Sequence, residues 1–569
     1  MEVVEKNNKT ALPFPAIIAV LALLSYGNIW FFRDVVWDDN CWLQSLYSSI
    51  NLNDFLQTGF VELRRVPLGI FLYYFFKLHK TTDYFYEIWH TVNMITQIGT
   101  PVFLYLFIKN MFKNCSIPAF FIGISYTVLP LDYTLPYATV TSYRLSIMLG
   151  VLSFYLTEKA FIDEKPRWSL ILTALLVSGI SYYVFLEGTI IFEPARLFVI
   201  WYILNKRNGV QQGVMKKAFV YWMPFFILCI PLGVYKLMFK PYGIYAGTYT
   251  TDPLFILNWK LNAKTIAYLM HVQWIQFAQK IGYAKISSFF TGLLGTIFSI
   301  YFTKNSILQQ HEPSGGSWKN IWQTVRPIFI LGMLLFIPAI LLLNFVGSYL
   351  GRAMNSSHAT IVQFGYAVVT GVVLYLFYAV STGSHLKNKI YRAIIVCIFG
   401  LGVFFNNLNL DLYFNAWKEQ NKFWQAFEKR FPALPEKAKF MIDAKDRAGQ
   451  LYTDLDNYYK LEFALNLLYA RSDNPSDFRR YSVYTPDELQ EHFNQETATV
   501  ERLTQFGKET ADTRDMIIVK YKDGEIFINR EIIKKYPDIS YKKWADKELP
   551  ELPRPVIYPL RQKLKGFIK

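Results

Sequence analysis

The feature that most constrains this chain is a series of apolar blocks, most of them close to twenty residues long and the third, 117–131, short. A helix rises about 1.5 Å per residue, so about 20 apolar residues match the ~30 Å hydrocarbon layer of a bilayer. Such blocks fall at 13–32, 84–108, 117–131, 142–160, 168–186, 188–204, 218–238, 284–303, 327–346, 360–381 and 391–409. Of the 569 residues, 53% are hydrophobic and 18% aromatic, a more apolar balance than water-soluble domains usually carry. The expected fold is an α-helical polytopic membrane protein of about eleven spans, with a C-terminal extracytoplasmic mixed α/β domain. The first block follows Glu5, Lys6 and Lys9 and has no small-x-small cleavage site, which predicts an uncleaved first span.

Charge sets the orientation. One set of loops carries Lys109 and Lys113; Lys159, Lys165 and Arg167; Lys206, Arg207, Lys216 and Lys217; Lys304, Lys319 and Arg326; and Lys387, Lys389 and Arg392. The positive-inside rule makes these cytoplasmic, together with the N-terminus. An odd number of spans then places everything after Asn409 outside. The outward loops are 33–83, 132–141, 239–283 and a short one with Arg352 and His358. Apolar amphipathic stretches at 41–50, 66–78 and 261–280 are expected along the membrane surface, 66–78 alternatively as a buried or re-entrant piece.

The chain divides into a membrane part, 1–410, and a soluble tail, 411–569. Helical periodicity is expected at 415–430 and 454–470. Met516–Tyr521 and Glu525–Asn529, joined through Lys522-Asp523-Gly524, read as a β-hairpin with an Asp-Gly turn.

The formal charge of +16 has a bland origin in helix-end Lys and Arg, and no zinc-finger, helix-turn-helix or RNP pattern supports nucleic acid as a partner. Walker A, strand-linked GxGxxG and HExxH patterns are absent, which leaves ATP-driven transport, nicotinamide chemistry and zincin proteolysis unsupported. The seven His are dispersed and give no metal triad. Cys41, Cys115, Cys229 and Cys397 contain no CxxC and predict no structural disulfide.

Chemistry-bearing residues gather on the outward side. In Val36-Trp37-Asp38-Asp39-Asn40 two carboxylates lie beside the first span. Partial desolvation there makes a carboxylate a better base, while Asp39 or Asn40 equally suits a cap for the helix 41–50. His90, Asn93 and Gln97 share one helix face, which fits a polar cavity or plain hydrogen bonding between helices. Arg64, Arg65, Lys240 and Arg352 are cations suited to a phosphate group. Asp132, Arg144, Glu187 and Tyr242 complete the set.

The order of these features resembles the GT-C superfamily of membrane glycosyltransferases, which includes protein O-mannosyltransferases and aminoarabinose transferases. An acidic pair follows the first span. Arg65-Val66-Pro67-Leu68-Gly69 opens an apolar segment, His90-x-x-Asn93 begins the second span, and Asp132 follows a Pro-terminated third span. The resemblance covers about 1–410 and is densest over 1–190. It implies transfer of a sugar from a polyprenyl-phosphate donor to a hydroxyl of a glycan, lipid or protein acceptor outside the membrane, with inversion. It further implies Asp38 as general base with Asp39 as alternate, and Asp132 as a second acid that orients acceptor or binds metal. Arg352, with Arg65, Arg64 and Lys240, would hold the donor phosphate; His90, Asn93, Glu187 and Tyr242 would line the site. Val66 intervenes in the Arg-Pro pattern, and Gln97 stands where relatives often have a second His. No cofactor is required, and a divalent cation is compatible. The expected location is a bacterial inner membrane. Competing readings are a ligase or polymerase of lipid-linked glycans, a secondary transporter, for which matching broken spans in two halves are missing, and a non-catalytic scaffold.

Overall fold

Among the described residues, eight helices are long and apolar enough to cross a membrane: Phe14–Phe31, Phe85–Met111, Trp168–Phe185, Val214–Tyr235, Ile286–Thr303, Trp318–Leu342, Thr360–Ser381 and His385–Arg430. They are seen in a computed structural model, which describes residues 13–34, 38–112, 115–132, 134–208, 213–239, 242, 260, 263–264, 266–267, 274–275, 277–304, 318–345, 359–381, 384–432, 434, 437–444, 455, 458–470, 474–494, 496–497, 499–504, 507–522 and 524–528. Half of the expected stretch 261–280 falls outside these residues, and Lys240 and Arg352 lie outside them altogether.

In chain order the helices are α1 (Phe14–Tyr26), α2 (Asp38–Tyr47), α3 (Leu52–Gln57), α4 (Val66–Thr81), α5 (Phe85–Met111), α6 (Ser116–Val128), α7 (Thr141–Phe161), α8 (Trp168–Gly179), α9 (Glu193–Asn208), α10 (Val214–Met238), α11 (Ile286–Lys304), α12 (Trp318–Phe345), α13 (Ala359–Ser381), α14 (His385–Arg430), α15 (Tyr458–Leu468) and α16 (Pro486–His492). The three remaining apolar blocks are also helical but differ in kind. α6 has 13 residues and stops before Pro130, whose ring holds Leu129 extended. α7 carries Arg144, Glu158 and Lys159. The block 188–204 begins as a 3-10 turn, Glu187–Phe192, and continues into α9 with Glu193 and Arg196.

A core of α1, α5, α6, α7, α12 and α13 buries Ile18, Phe107, Phe121, Phe154, Leu335 and Val368. Lipid tails are as apolar as leucine, so such helices associate by close approach. At Gly371 of α13 a Cβ would come within 2.5 Å of the Ile122 backbone of α6. α8 ends in a π-helical turn, Ile180–Phe185, closed by the Leu186 N–H on the Ser181 carbonyl.

α14 runs for 46 residues, and the change from apolar to polar composition at 410 falls inside it. No Gly or Pro interrupts Val403 to Phe431, so nothing stops the helix. Its last turns, with Phe423, Trp424 and Phe427, enter the core of the tail against Phe440, Leu461, Val519 and Tyr521. The strands are β1 (Lys439–Asp443), β2 (Ser482–Tyr484), β3 (Phe493–Asn494), β4 (Thr499–Thr504), β5 (Gly507–Asp512), β6 (Met516–Lys522) and β7 (Glu525–Ile528). One sheet has the order β2-β1-β6-β7, with β1 parallel to both β2 and β6, and an antiparallel sheet has the order β3-β4-β5. β6 and β7 form the expected hairpin, pairing Lys522 with Glu525, with Gly524 at φ +86°. That positive φ is one glycine adopts without steric cost.

Three acids of the tail share one cation. Arg502 lies 2.5 Å from Glu462, 2.8 Å from Glu509 and 3.5 Å from Glu488. One guanidinium cannot neutralise three carboxylates, and burial pushes Glu488 up to about 7. Between its ordinary value near 4.5 and about 7, the folded chain therefore holds a proton that the unfolded chain has lost. Stability from this group falls as pH rises through that window. Glu488→Gln is expected to melt close to wild type at pH 5. It should be more stable by about 1–3 kcal/mol at pH 8, read as a gap in melting temperature that widens with pH.

Candidate functional site

Two polar assemblies and a cavity lie among the described residues at the helix ends next to α2 and α4. The cavity begins at the N-terminus of α4. Arg64 takes a left-handed conformation, φ +59°, so that it and Arg65 turn toward the same space just before the helix starts. Arg65 Nε donates to Glu187 Oε1 at 2.8 Å, and its Nη1 lies 3.3 Å from the Tyr143 hydroxyl. The Arg64 guanidinium stands 4.9 Å from the ring centre of Tyr242 and 5.5 Å from that of Phe239. Its Nε is buried and has no hydrogen-bond partner among the described residues. α4 has no side-chain N-cap, and its first residues Val66, Pro67 and Leu68 line the same cavity, which puts the positive end of its dipole there.

The cavity measures about 310 Å³. Arg64, Arg65 and Glu187 form its polar end. Tyr182, Val184 and Phe185 of the π-turn line one wall, and Pro231, Leu232 and Tyr235 of α10 line another. π-turns inside helices recur at functional sites, because the extra residue redirects side chains. Here the turn sets an aromatic wall beside two cations.

The second assembly is a buried ion pair. Arg144 contacts Asp132 through Nε at 2.5 Å and Nη2 at 3.0 Å. Asp132 also accepts from Gln97 Nε2 at 2.9 Å and from the Thr134 N–H and hydroxyl at 3.1 and 3.0 Å. Asn93 joins it, accepting from Arg144 Nη1 at 3.1 Å and Thr141 at 2.8 Å and donating to the Leu135 carbonyl at 3.1 Å. Both charges are almost fully buried. With five donors on its carboxylate, Asp132 ties the segment after α6 to α5 and α7. His90, Asn93 and Gln97 share a face as predicted, and that face makes hydrogen bonds between segments: His90 Nε2 lies 2.8 Å from the Phe32 carbonyl.

Asp39 is fully buried, and its two oxygens accept the backbone N–H groups of Ala138 at 2.6 Å and Thr139 at 2.8 Å. α2 already starts at Asp38, so Asp39 is no N-cap; it ties α2 to the segment before α7. Asp38 is the first residue of α2, and its side chain lies outside the described residues. α2 itself is not a surface helix. Trp42, Leu43 and Leu46 are covered by α4 on one side and by Phe463 and Leu467 of the tail on the other. The start of α7 links the acid pair to the cavity: Thr139 is held by Asp39, and Tyr143 contacts Arg65.

Sequence reading missed a third assembly, one layer deeper. Arg196 is fully buried between the rings of Phe154 and Phe225, 4.5 and 4.3 Å from their centres. It donates to Glu193 at 2.9 Å, Thr157 at 2.6 Å and Ser178 at 3.1 Å. Glu193 also accepts from Trp222 at 3.2 Å and from the hydroxyl of Tyr182, the residue that lines the cavity. The signal was available, as a Glu-x-x-Arg step inside an apolar block. Among the described residues no three His, Cys, Asp or Glu side chains are grouped to hold a metal ion. None of the four cysteines is joined in a disulfide.

Comparison of the chain with protein-family models, with curated proteins and with solved structures returns no match.

Proposed function

We propose that this chain is a GT-C-type glycosyltransferase of eleven spans that moves a sugar from a polyprenyl-phosphate donor to an acceptor hydroxyl outside the membrane. The observation that carries the reading is the cavity: two adjacent arginines and an uncapped helix N-terminus meet an apolar aromatic cleft between membrane helices. An anionic head on an isoprenoid tail is the ligand whose chemistry matches both ends. In this reading the N-terminus is cytoplasmic and the tail extracytoplasmic, which the loop charges support.

In this mechanism the acceptor hydroxyl gives its proton to Asp38 while its oxygen bonds to the anomeric carbon. The bond from that carbon to the phosphate oxygen breaks, and the configuration inverts. The leaving phosphate goes from one negative charge to two, and the added charge develops beside Arg64 and Arg65. Cations already fixed in a site of low dielectric stabilise such charge without reorganising. Arg65 is held by Glu187 and Tyr143; Arg64, boxed by Phe239 and Tyr242, has a donor left to give. Arg352 and Lys240 join them on the strength of the resemblance. Asp39 and Asp132 act as organisers of the outer loops.

The test is donor binding. The purified protein in nanodiscs is exposed to a panel of polyprenyl-phosphate sugars and followed by native mass spectrometry and thermal shift. At least one donor is expected to bind and stabilise wild type, and Arg64→Ala is expected to weaken it by tenfold or more. Absence of binding by every lipid-phosphate sugar to the folded protein refutes the reading.

A further inference from the structure

Among the described residues the tail reaches the segment 34–48 through four polar contacts. Lys460 Nζ of α15 lies 3.0 Å from Asp34 Oδ2, and both side chains are about 95% buried. Gln44 of α2 donates to Glu462 and to the Phe478 carbonyl, each at 3.4 Å. Arg479 donates to the Ser48 carbonyl at 3.3 Å. Apolar contact fills the space between them: Tyr47 packs on Phe478 with ring centres 5.0 Å apart. Asp34 stands four positions before Asp38, and Gln44 six positions after it. The acid pair is thus bracketed by residues that the tail holds.

A buried ion pair contributes little net stability compared with apolar side chains of similar size, but removing one partner is costly. A pair in that position serves register more than strength. We propose that Lys460 is a positioning residue that locks Asp34, and with it α2, in the register the acid pair needs, making the tail an integral wall of the site. This rests on the glycosyltransferase reading for its catalytic consequence, but not for its geometry.

Cys41 makes the geometry measurable. It lies in α2, 8% exposed, whereas Cys397 is the exposed cysteine of the four. Cys229 is as exposed as Cys41, so in a Cys115→Ser, Cys229→Ser, Cys397→Ser background of the full chain in nanodiscs, a charged maleimide is expected to label Cys41 slowly. Lys460→Met should speed labelling at least tenfold, and Lys460→Arg should leave it near wild type. The pair Asp34→Leu with Lys460→Met, which removes both charges, should restore slow labelling. With a donor that turns over, Lys460→Met should lower kcat at least thirtyfold with donor KM within twofold, and the double variant should recover most of kcat. Labelling of Lys460→Met no faster than wild type overturns the lock. Faster labelling with unchanged kcat overturns the positioning role. If wild type turns over no donor, the glycosyltransferase reading falls, and the labelling series alone still decides the lock.

Discussion

Arg65→Met is expected to abolish most sugar transfer, by a factor of about 10²–10³, or about 3–4 kcal/mol of transition-state stabilisation. Two effects act in the same direction. A cation is lost from the polar end of the cavity, where the leaving phosphate gains its second charge. The Glu187 carboxylate, now 2.8 Å from an empty position, remains and repels the donor. The effect should therefore exceed that of Arg64→Ala, whose loss leaves no new unpaired charge. The arithmetic can be checked by a second substitution: Arg65→Met with Glu187→Gln removes the repulsion and should recover about tenfold over Arg65→Met alone. Steady-state rates with a radiolabelled donor measure all four proteins. Equal rates for Arg65→Met and wild type would remove the cavity from the mechanism.

Arg196→Leu is expected to have the largest effect on stability, about 3–5 kcal/mol. The substitution leaves the Glu193 carboxylate buried among Phe154, Phe225 and Trp222, with hydrogen bonds but no counter-charge. An apparent melting temperature lower by about 5–10 °C in detergent is the expected readout. Adding Glu193→Gln neutralises the stranded charge, keeps an acceptor for Tyr182 and Trp222, and should recover most of the loss. Because Tyr182 lines the cavity and bonds to Glu193, the single variant should also weaken donor binding. A melting temperature unchanged in Arg196→Leu would show that this pair is not closed off from water.

Much of the architecture was legible because a bilayer imposes a strong rule on sequence. Each apolar block corresponds to helix, and the Asp523-Gly524 hairpin followed from turn chemistry alone. The continuity of α14 was less visible: composition changes at 410, but only the absence of Gly and Pro up to Phe431 shows that the helix does not stop there. For the site, residue types were easier to read than partners. The shared face of His90, Asn93 and Gln97 follows from helical spacing. That Arg144 would reach Asn93 and Asp132 depends on how the loop 131–141 folds back, which no periodicity encodes. Asp132 looked like an open acid for that reason. Asp39 looked like a cap because its true donors lie about a hundred positions away, at Ala138 and Thr139. Lys460 belongs to a segment that gave no sign of touching the first outer loop. Glu193 and Arg196, by contrast, were readable: two opposite charges one turn apart in an apolar block are an expensive feature.

The most direct test of the central claim is release of the carrier. The full chain is reconstituted in proteoliposomes with a panel of radiolabelled polyprenyl-phosphate sugars and a total lipid and glycan extract of the expression host as acceptor source. The labelled sugar in product and the free polyprenyl phosphate are then quantified together. The account predicts that at least one donor yields both in equal amounts. Asp38→Asn is predicted to lower the rate by about 10³ or more while donor binding persists. Turnover by Asp38→Asn at the wild-type rate, or no release of carrier from any donor by a folded protein, would contradict it.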